Sequence, residues 1–294
     1  MYTQFYGNFL LNNNYITPAQ LAEALEIKNT TRVKLGILAM NEGFLTSEQI
    51  EEIHNSQARM DKKFGDIAVE LGYITESQLA TLLSSQKTGL LLLGQALVNL
   101  GFLSNADFER TLKEYKEKYQ LDDNDVDEFS DSITKIVSEF YHFDKHNNTK
   151  IFTAYATLLF KNLVRFIGDD FTPLEASLIS NLKCKNISSQ NIVGPFSSFT
   201  AIEGNSATFT EFASRFANEK ITEVDELAFA SVGEFLNLHN GLFTVNMSNE
   251  KNIELELKPQ VSNKNTVLSL VGSAFCIPIN FTFGTINFVI SNLE

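Results

Sequence analysis

Glu234 and Asn237 stand three residues apart in the run Glu-Phe-Leu-Asn-Leu-His-Asn-Gly, residues 234–241. On a helix advancing about 100° per residue, Asn237 falls roughly 60° from Glu234, with Ala230 and Gly241 between them. Val224, Ala228, Val232, Phe235 and Leu242 fall on the other side and are expected to face a core. An acid and an amide would thus share one exposed ridge, beside small residues that let a partner come close. Metal chemistry is not indicated. His54, His142, His146 and His239 have no ligand spacing, with His54 expected at the surface and His239 toward the core. Cys184 and Cys276 lack a C-x-x-C partner and read as buried free thiols.

The elements that must position this pair lie on both sides of it. Residues 275–290 read as two strands around a tight turn at Gly284, and 178–203 supply earlier strands, including 192–194 and 199–202. Residues 150–165 and 208–218 read as helices, the latter through Phe209, Phe212 and Phe216, and a helix is expected over about 125–143 with Phe129, Ile133, Ile136, Val137 and Phe140 as its stripe. This predicts an α+β domain with an antiparallel sheet and long helices packed across it.

The E-x-x-N-x-x-x-G run followed by a late hairpin resembles the CheC/FliY/CheX phosphatases, which remove the aspartyl phosphate of the response regulator CheY. The resemblance implies that Glu234 pairs with a lysine of the regulator and that Asn237 orients the attacking water. It implies no cofactor of the chain's own, with Mg2+ held by the regulator, and a sheet-mediated homodimer as one possible assembly. The family pattern has Asp or Ser four residues before the Glu, where this chain has Ala230, with Ser231 one place on. In two-site members the first helix carries another E-x-x-N; here Glu139 is followed three places later by His142, so the layout is closer to that of single-site CheX.

Residues 5–115 carry a different signal. Gly7, Gly36, Gly65 and Gly94 step by 29 residues, as do Asn14, Gly43, Gly72 and Gly101, and Thr17, Thr46, Thr75 and Ser104. Such phase predicts an all-α domain of four 29-residue units, each a short helix, a turn and a capped second helix. The hydroxyl residues are followed three places on by Gln20, Gln49, Gln78 and Asp107, which makes capping boxes. The second helices are expected to bury Leu21 and Leu25, or Leu79 and Leu83, against neighbouring units. The units resemble the MshEN module of type II secretion and type IV pilus ATPases, with 24-residue motifs at 34–57 and 63–86. The resemblance implies a cyclic di-GMP site at Lys34, Leu35, Gly36, Gly43, Gln57, Lys63, Gly65, Gly72 and Gln86. Lysine at 34 and 63 replaces the arginine of binding versions and lacks its planar fork, which favours a docking or spacer role. No P-loop follows.

Composition sets the remaining bounds. The chain has 294 residues, 44% hydrophobic and 20% charged, enough for two ordinary cores: 1–120 and 121–294, joined at the charged stretch 116–128. The net charge is −13, of which residues 1–121 carry 11 Lys/Arg against 14 Asp/Glu and the rest 12 against 22. No basic cluster suggests nucleic acid, whereas an acidic surface suits a protein partner with basic patches. The first residues do not read as a signal peptide and no apolar run is long enough to span a bilayer, so a cytoplasmic location is expected. Two functions remain in view. One is a phosphatase of a phosphorylated CheY-type regulator, tuned or positioned by the helical domain. The other is a non-catalytic adaptor joining such a regulator to a secretion, pilus or motility component.

Overall fold

The computed structural model describes residues 2–85, 88–121, 132–141, 143 and 149–293. Two compact units divide the chain, Tyr2–Ser132 and Ile133–Glu294. The junction expected at 120/121 is close by, and 122–131 lie outside the described residues, as do Gln86, His142 and His146.

Among its described residues the first unit contains helices only: Tyr2–Asn12 (α1), Pro18–Lys28 (α2), Leu35–Asn41 (α3), Ser47–Met60 (α4), Phe64–Glu70 (α5), Glu76–Ser84 (α6), Gly89–Asn99 (α7) and Asn105–Tyr119 (α8). Thr17, Thr46, Thr75 and Ser104 each cap the following helix in a capping box. Asn14, Gly43, Gly72 and Gly101 take positive φ in the turns before them, where residues without a Cβ, or asparagine, are least strained. The other glycines serve close packing. A Cβ added at Gly36, Gly65 or Gly94 would meet Ile50, Leu79 or Phe108 at 3.2, 2.7 and 2.2 Å, each partner standing fourteen residues downstream.

The helices do not pack only in chain order. α7 lies against α1 and α2, and α8 against α1 and α4. Tyr6 Oη meets Thr111 Oγ1 at 2.8 Å, and Tyr15 donates to Glu114 at 2.6 Å. The ends of the sequence pattern therefore bury one another. One expected core residue is misplaced: Leu83 is 72% exposed while its neighbour Leu82 is buried. α6 packs chiefly on α3 and α5, with Leu82 buried and Leu79 half-buried on the covered side of this nine-residue helix.

Of the helix expected over 125–143, the described part is Ser132–Tyr141 (α9), at the start of the second unit; Ile133, Ile136 and Val137 are buried in it. There follow Thr149–Phe166 (α10), strands Phe171–Pro173 (β1), Ser177–Val193 (β2) and Ser197–Gly204 (β3), helices Ser206–Ala217 (α11) and Glu226–Lys251 (α12), and strands Glu256–Leu257 (β4), Val261–Phe281 (β5) and Gly284–Leu293 (β6). All pairings are antiparallel, in the order β1-β5-β6-β3-β2-β4. β2 also pairs β5, from Ser177↔Cys276 to Ser189↔Val261. This second ladder joins the two sides of the four-stranded set β5-β6-β3-β2 and closes the sheet on itself.

Two apolar cores result from the alternation of strand residues. On the helix side, Phe212 of α11 meets Phe235 of α12 at 5.1 Å and Phe288 of β6 at 6.2 Å between ring centroids, and Phe152 of α10 meets Phe275 of β5 at 5.2 Å. On the other face Cys184, Ile187, Ala201, Ala274 and Val289 form a smaller cluster, flanked by Ile179, Leu182, Phe199, Leu268 and Leu270. Both thiols are buried, as expected, and burial raises Cys276 to about 11. A polar latch fastens the rim of this unit. Arg215 of α11 bonds Asp170 at 2.6 Å, and Thr282 in the β5–β6 turn donates to the same carboxylate. Burial pushes the Asp170 carboxyl up, but the guanidinium and hydroxyl outweigh it and hold it below its ordinary value.

Candidate functional site

The acid and the amide lie on α12, whose start is set by Asp225: its carboxylate accepts from the Ala228 backbone N–H at 2.9 Å. The helix ends at Asn252, in the left-handed conformation. Between these caps Ala228, Val232, Phe235, Leu236, His239, Phe243 and Met247 turn inward. Glu234 and Ala230 are exposed and Asn237 and Gly241 half-buried, so the four share one ridge, and nothing lies within 4 Å of a Cβ built on Gly241. Leu242, expected in the core, is 38% exposed. Its flank of the helix turns away from the sheet, and with Leu227 and Val245 it adds apolar surface beside the ridge.

Asn237 is not free. Its Oδ1 accepts from Gln190 Nε2 at 2.9 Å, and the same nitrogen donates to the Lys258 carbonyl at 3.0 Å. A main-chain carbonyl only accepts, so the Gln190 atom facing it must be nitrogen, and Asn237 must offer oxygen to that nitrogen's second hydrogen. Gln190 Oε1 accepts in turn from Asn240 Nδ2 at 2.8 Å, which also donates to Thr200 Oγ1 at 2.9 Å. The Thr200 hydroxyl gives its proton to the Gln190 carbonyl at 2.8 Å, and Tyr155 Oη donates to Asn240 Oδ1 at 2.9 Å. Every amide in this chain has one permitted orientation. It leaves Asn237 Nδ2 with no partner among the described residues, on the half-exposed ridge, while Oδ1 keeps a second lone pair. Such a group can donate to a water oxygen and accept from a water proton.

Local sequence explains the placement of these partners. Asn186, Ser188, Gln190 and Ile192 alternate on one face of β2 and are all buried against the helices. Asn240 follows Asn237 by three residues on α12, one turn on and rotated inward. Neither Gln190 nor Asn240 was singled out from the sequence. The available signal was the polar residue at an inward strand position, which is costly unless bonded.

Further along α12, His239 is fully buried and accepts at Nδ1 from Asn162 Nδ2 at 3.0 Å, which puts its proton on Nε2. Burial depresses its pKa to about 3. The side chain is therefore neutral and structural, as its core-facing position implied. Ser231, the hydroxyl residue next to Ala230, is buried and donates to the Leu227 carbonyl of its own helix at 2.8 Å. It does not supply the polar group missing at Ala230. Among the described residues no cluster of His, Cys, Asp and Glu could hold a metal ion, and no helix is long and apolar enough to cross a membrane.

No protein-family model matches the chain, and no curated protein matches it. Solved structures do. A CheC-like superfamily protein from Shewanella sp. PV-4 is 18% identical, over 50% of this chain and 99% of that one, with a TM-score of 0.44. The chemotaxis protein CheX from Desulfovibrio desulfuricans is 14% identical over 49% and 99%, with a TM-score of 0.44. CheX in a CheX–CheY–BeF3–Mg2+ complex from Borrelia burgdorferi is 16% identical over 49% and 98%, again at 0.44. Each of these matches covers about half of this chain and nearly all of the other.

In the helical unit, Lys34 and Lys63 occupy the N-cap positions of α3 and α5 and are exposed, without capping bonds from their side chains. Leu35 is half-buried, and its side chain lies 3.1 Å from a Cβ built on Gly65. Gly36 and Gly65 are buried in helix contacts, and Gly43 and Gly72 form the left-handed turns. Gln57 Oε1 lies 3.1 Å from His54 Nδ1 on the exposed side of α4. The glycines thus have structural duties in full, and Gln86 lies outside the described residues.

Proposed function

We propose that the α+β unit hydrolyses the aspartyl phosphate of a CheY-type response regulator. The observation that carries this reading is the pairing, on one ridge of α12, of the exposed Glu234 carboxylate with an Asn237 amide whose orientation is set from beneath. Asn237 would hold a water in line with the phosphorus, donating from Nδ2 and accepting at Oδ1. The water oxygen bonds to phosphorus, the bond from phosphorus to the aspartyl oxygen breaks, and free carboxylate and inorganic phosphate result. Glu234 would pair with the regulator's lysine. Ala230 and Gly241 allow the partner's backbone to approach, and Leu227, Leu242 and Val245 offer apolar contact around the pair. The Mg2+ of the reaction belongs to the regulator. Catalysis would come mainly from positioning.

The test follows phosphate loss from a phosphorylated CheY-type receiver with this protein at substoichiometric amounts. Asn237→Ala is expected to lower turnover about a hundredfold, the scale of a lost positioning contact, with receiver binding and fold retained. Unchanged turnover in that variant would sink the role given to the amide. Receiver binding without acceleration by the unaltered protein would favour the adaptor, a reading supported by exposed Ala230 standing where the resembled family has an acid or hydroxyl.

For the helical unit we propose a docking role toward a secretion, pilus or motility partner, with cyclic di-GMP as its ligand to be tested. The exposed Lys34 and Lys63 at two helix starts are the groups that would meet a phosphate. Calorimetric titration with cyclic di-GMP is the test: binding through these lysines would give heat that Lys34→Ala and Lys63→Ala abolish. A flat titration leaves docking alone.

A further inference from the structure

Resting on the phosphatase reading, we propose that Gln190 is a positioning residue for the reaction, and that the buried Tyr155–Asn240–Gln190 chain fixes which face of the Asn237 amide meets the attacking water. Gln190 is on β2, 47 residues from Asn237, and is itself buried. Its Nε2 bridges Asn237 Oδ1 and the Lys258 carbonyl, and its Oε1 receives Asn240. Four polar side chains are sunk here, Gln190, Asn240, Thr200 and Tyr155, with 3%, 0%, 0% and 4% of their surfaces exposed. An apolar set of the same volume would fill this space without the need to satisfy each donor and acceptor. What the polar set does, and an apolar one would not, is hold one half-exposed amide in one orientation. The chain starts at a hydroxyl on α10, passes through a strand and ends at the ridge. A rotated Asn237 would set Nδ2 against Gln190 Nε2, donor to donor, so rotation is opposed at its source. Positioned water requires such a fixed group, since a misplacement of about 1 Å can lower a rate about a hundredfold.

Gln190→Met keeps the length of the side chain and removes all its hydrogen bonds. With a CheY-type receiver phosphorylated by acetyl phosphate, kcat is expected to fall at least about tenfold while KM for the receiver stays within about twofold. The Asn237 side-chain amide, identified as the 15N–1H pair absent in Asn237→Ala, is expected to have a lower 15N order parameter in Gln190→Met, because the bond that holds its Oδ1 is gone. Thr200→Val, a smaller change further along the chain that guards against a misfolded Gln190→Met, is expected to lower kcat in the same direction by less. If Asn237→Ala loses turnover while Gln190→Met and Thr200→Val keep full kcat, the proposal is overturned and the phosphatase reading stands. A raised KM with unchanged kcat also overturns it, assigning Gln190 to the docking surface. No acceleration by the unaltered protein overturns the phosphatase reading, and the proposal with it.

Discussion

Asn237 and His239, two residues apart on α12, illustrate opposite uses of a polar side chain. Asn237 keeps one donor at the ridge, whereas His239 is enclosed with Asn162 on one nitrogen and the Tyr155 ring 4.4 Å away between centroids. The enclosure has a measurable consequence. The unfolded chain takes up a proton at this histidine below its ordinary value of 6.5, and the folded chain does so only near 3. The contribution of neutral His239 is therefore fully present above pH 6.5 and is lost as the pH falls toward 3. Between pH 7.5 and pH 5 the loss is about 2 kcal/mol. His239→Gln, which does not titrate, is expected to remove that increment from the pH dependence of urea unfolding, whatever it does to stability at neutral pH. Equal pH slopes in the two proteins would rule the effect out. At this scale Glu234 and Asn237 were legible, since helical spacing alone puts them on one ridge. Gln190 was not, because the bond that matters spans strand and helix and leaves no mark in either local pattern.

Helices were more legible than strands. Caps and left-handed turns are local: Thr46 and Gln49, or Asn205 and Thr208, find each other within one turn, whatever the rest of the chain does. The expected helices at 150–165 and 208–218 correspond to α10 and α11 within one or two residues. β2 is a single 17-residue strand of which the sequence pattern marks only parts, and no local pattern marks the 261–274 half of β5. Its sequence, Val-Ser-Asn-Lys-Asn-Thr-Val-Leu-Ser-Leu, has few apolar residues, since one side covers only a small core and the other faces solvent. The α7–α8 contact gives an element-scale test. A methyl at Gly94 would sit 2.2 Å from the buried Phe108 ring, and overpacking of this kind costs about 1–3 kcal/mol. The better helix propensity of alanine offsets up to about 1 kcal/mol of this. Gly94→Ala is expected to lower the urea midpoint, and Gly94→Ala with Phe108→Leu to recover part of the loss. A midpoint unmoved by Gly94→Ala would contradict the close approach.

Over the whole molecule the chain forms two units with separate cores. A fragment of residues 121–294 is expected to show both helix and strand signals by circular dichroism and to unfold in one cooperative transition. A molten or unfolded fragment would mean that its core depends on the first unit. By itself the sequence determined the helix caps, the glycine turns, the face of α12 that carries Glu234 and Asn237, and the α+β character of the second half. All of these follow from interactions within a few residues or from apolar periodicity. Only the tertiary structure decided that α7 and α8 return to α1 and α2, that the β2–β5 ladder closes the sheet, and that Gln190 orients Asn237. Those contacts join residues tens to about a hundred positions apart, such as Tyr6 with Thr111. They are selected by which surfaces meet when the elements assemble, and no local pattern records that choice.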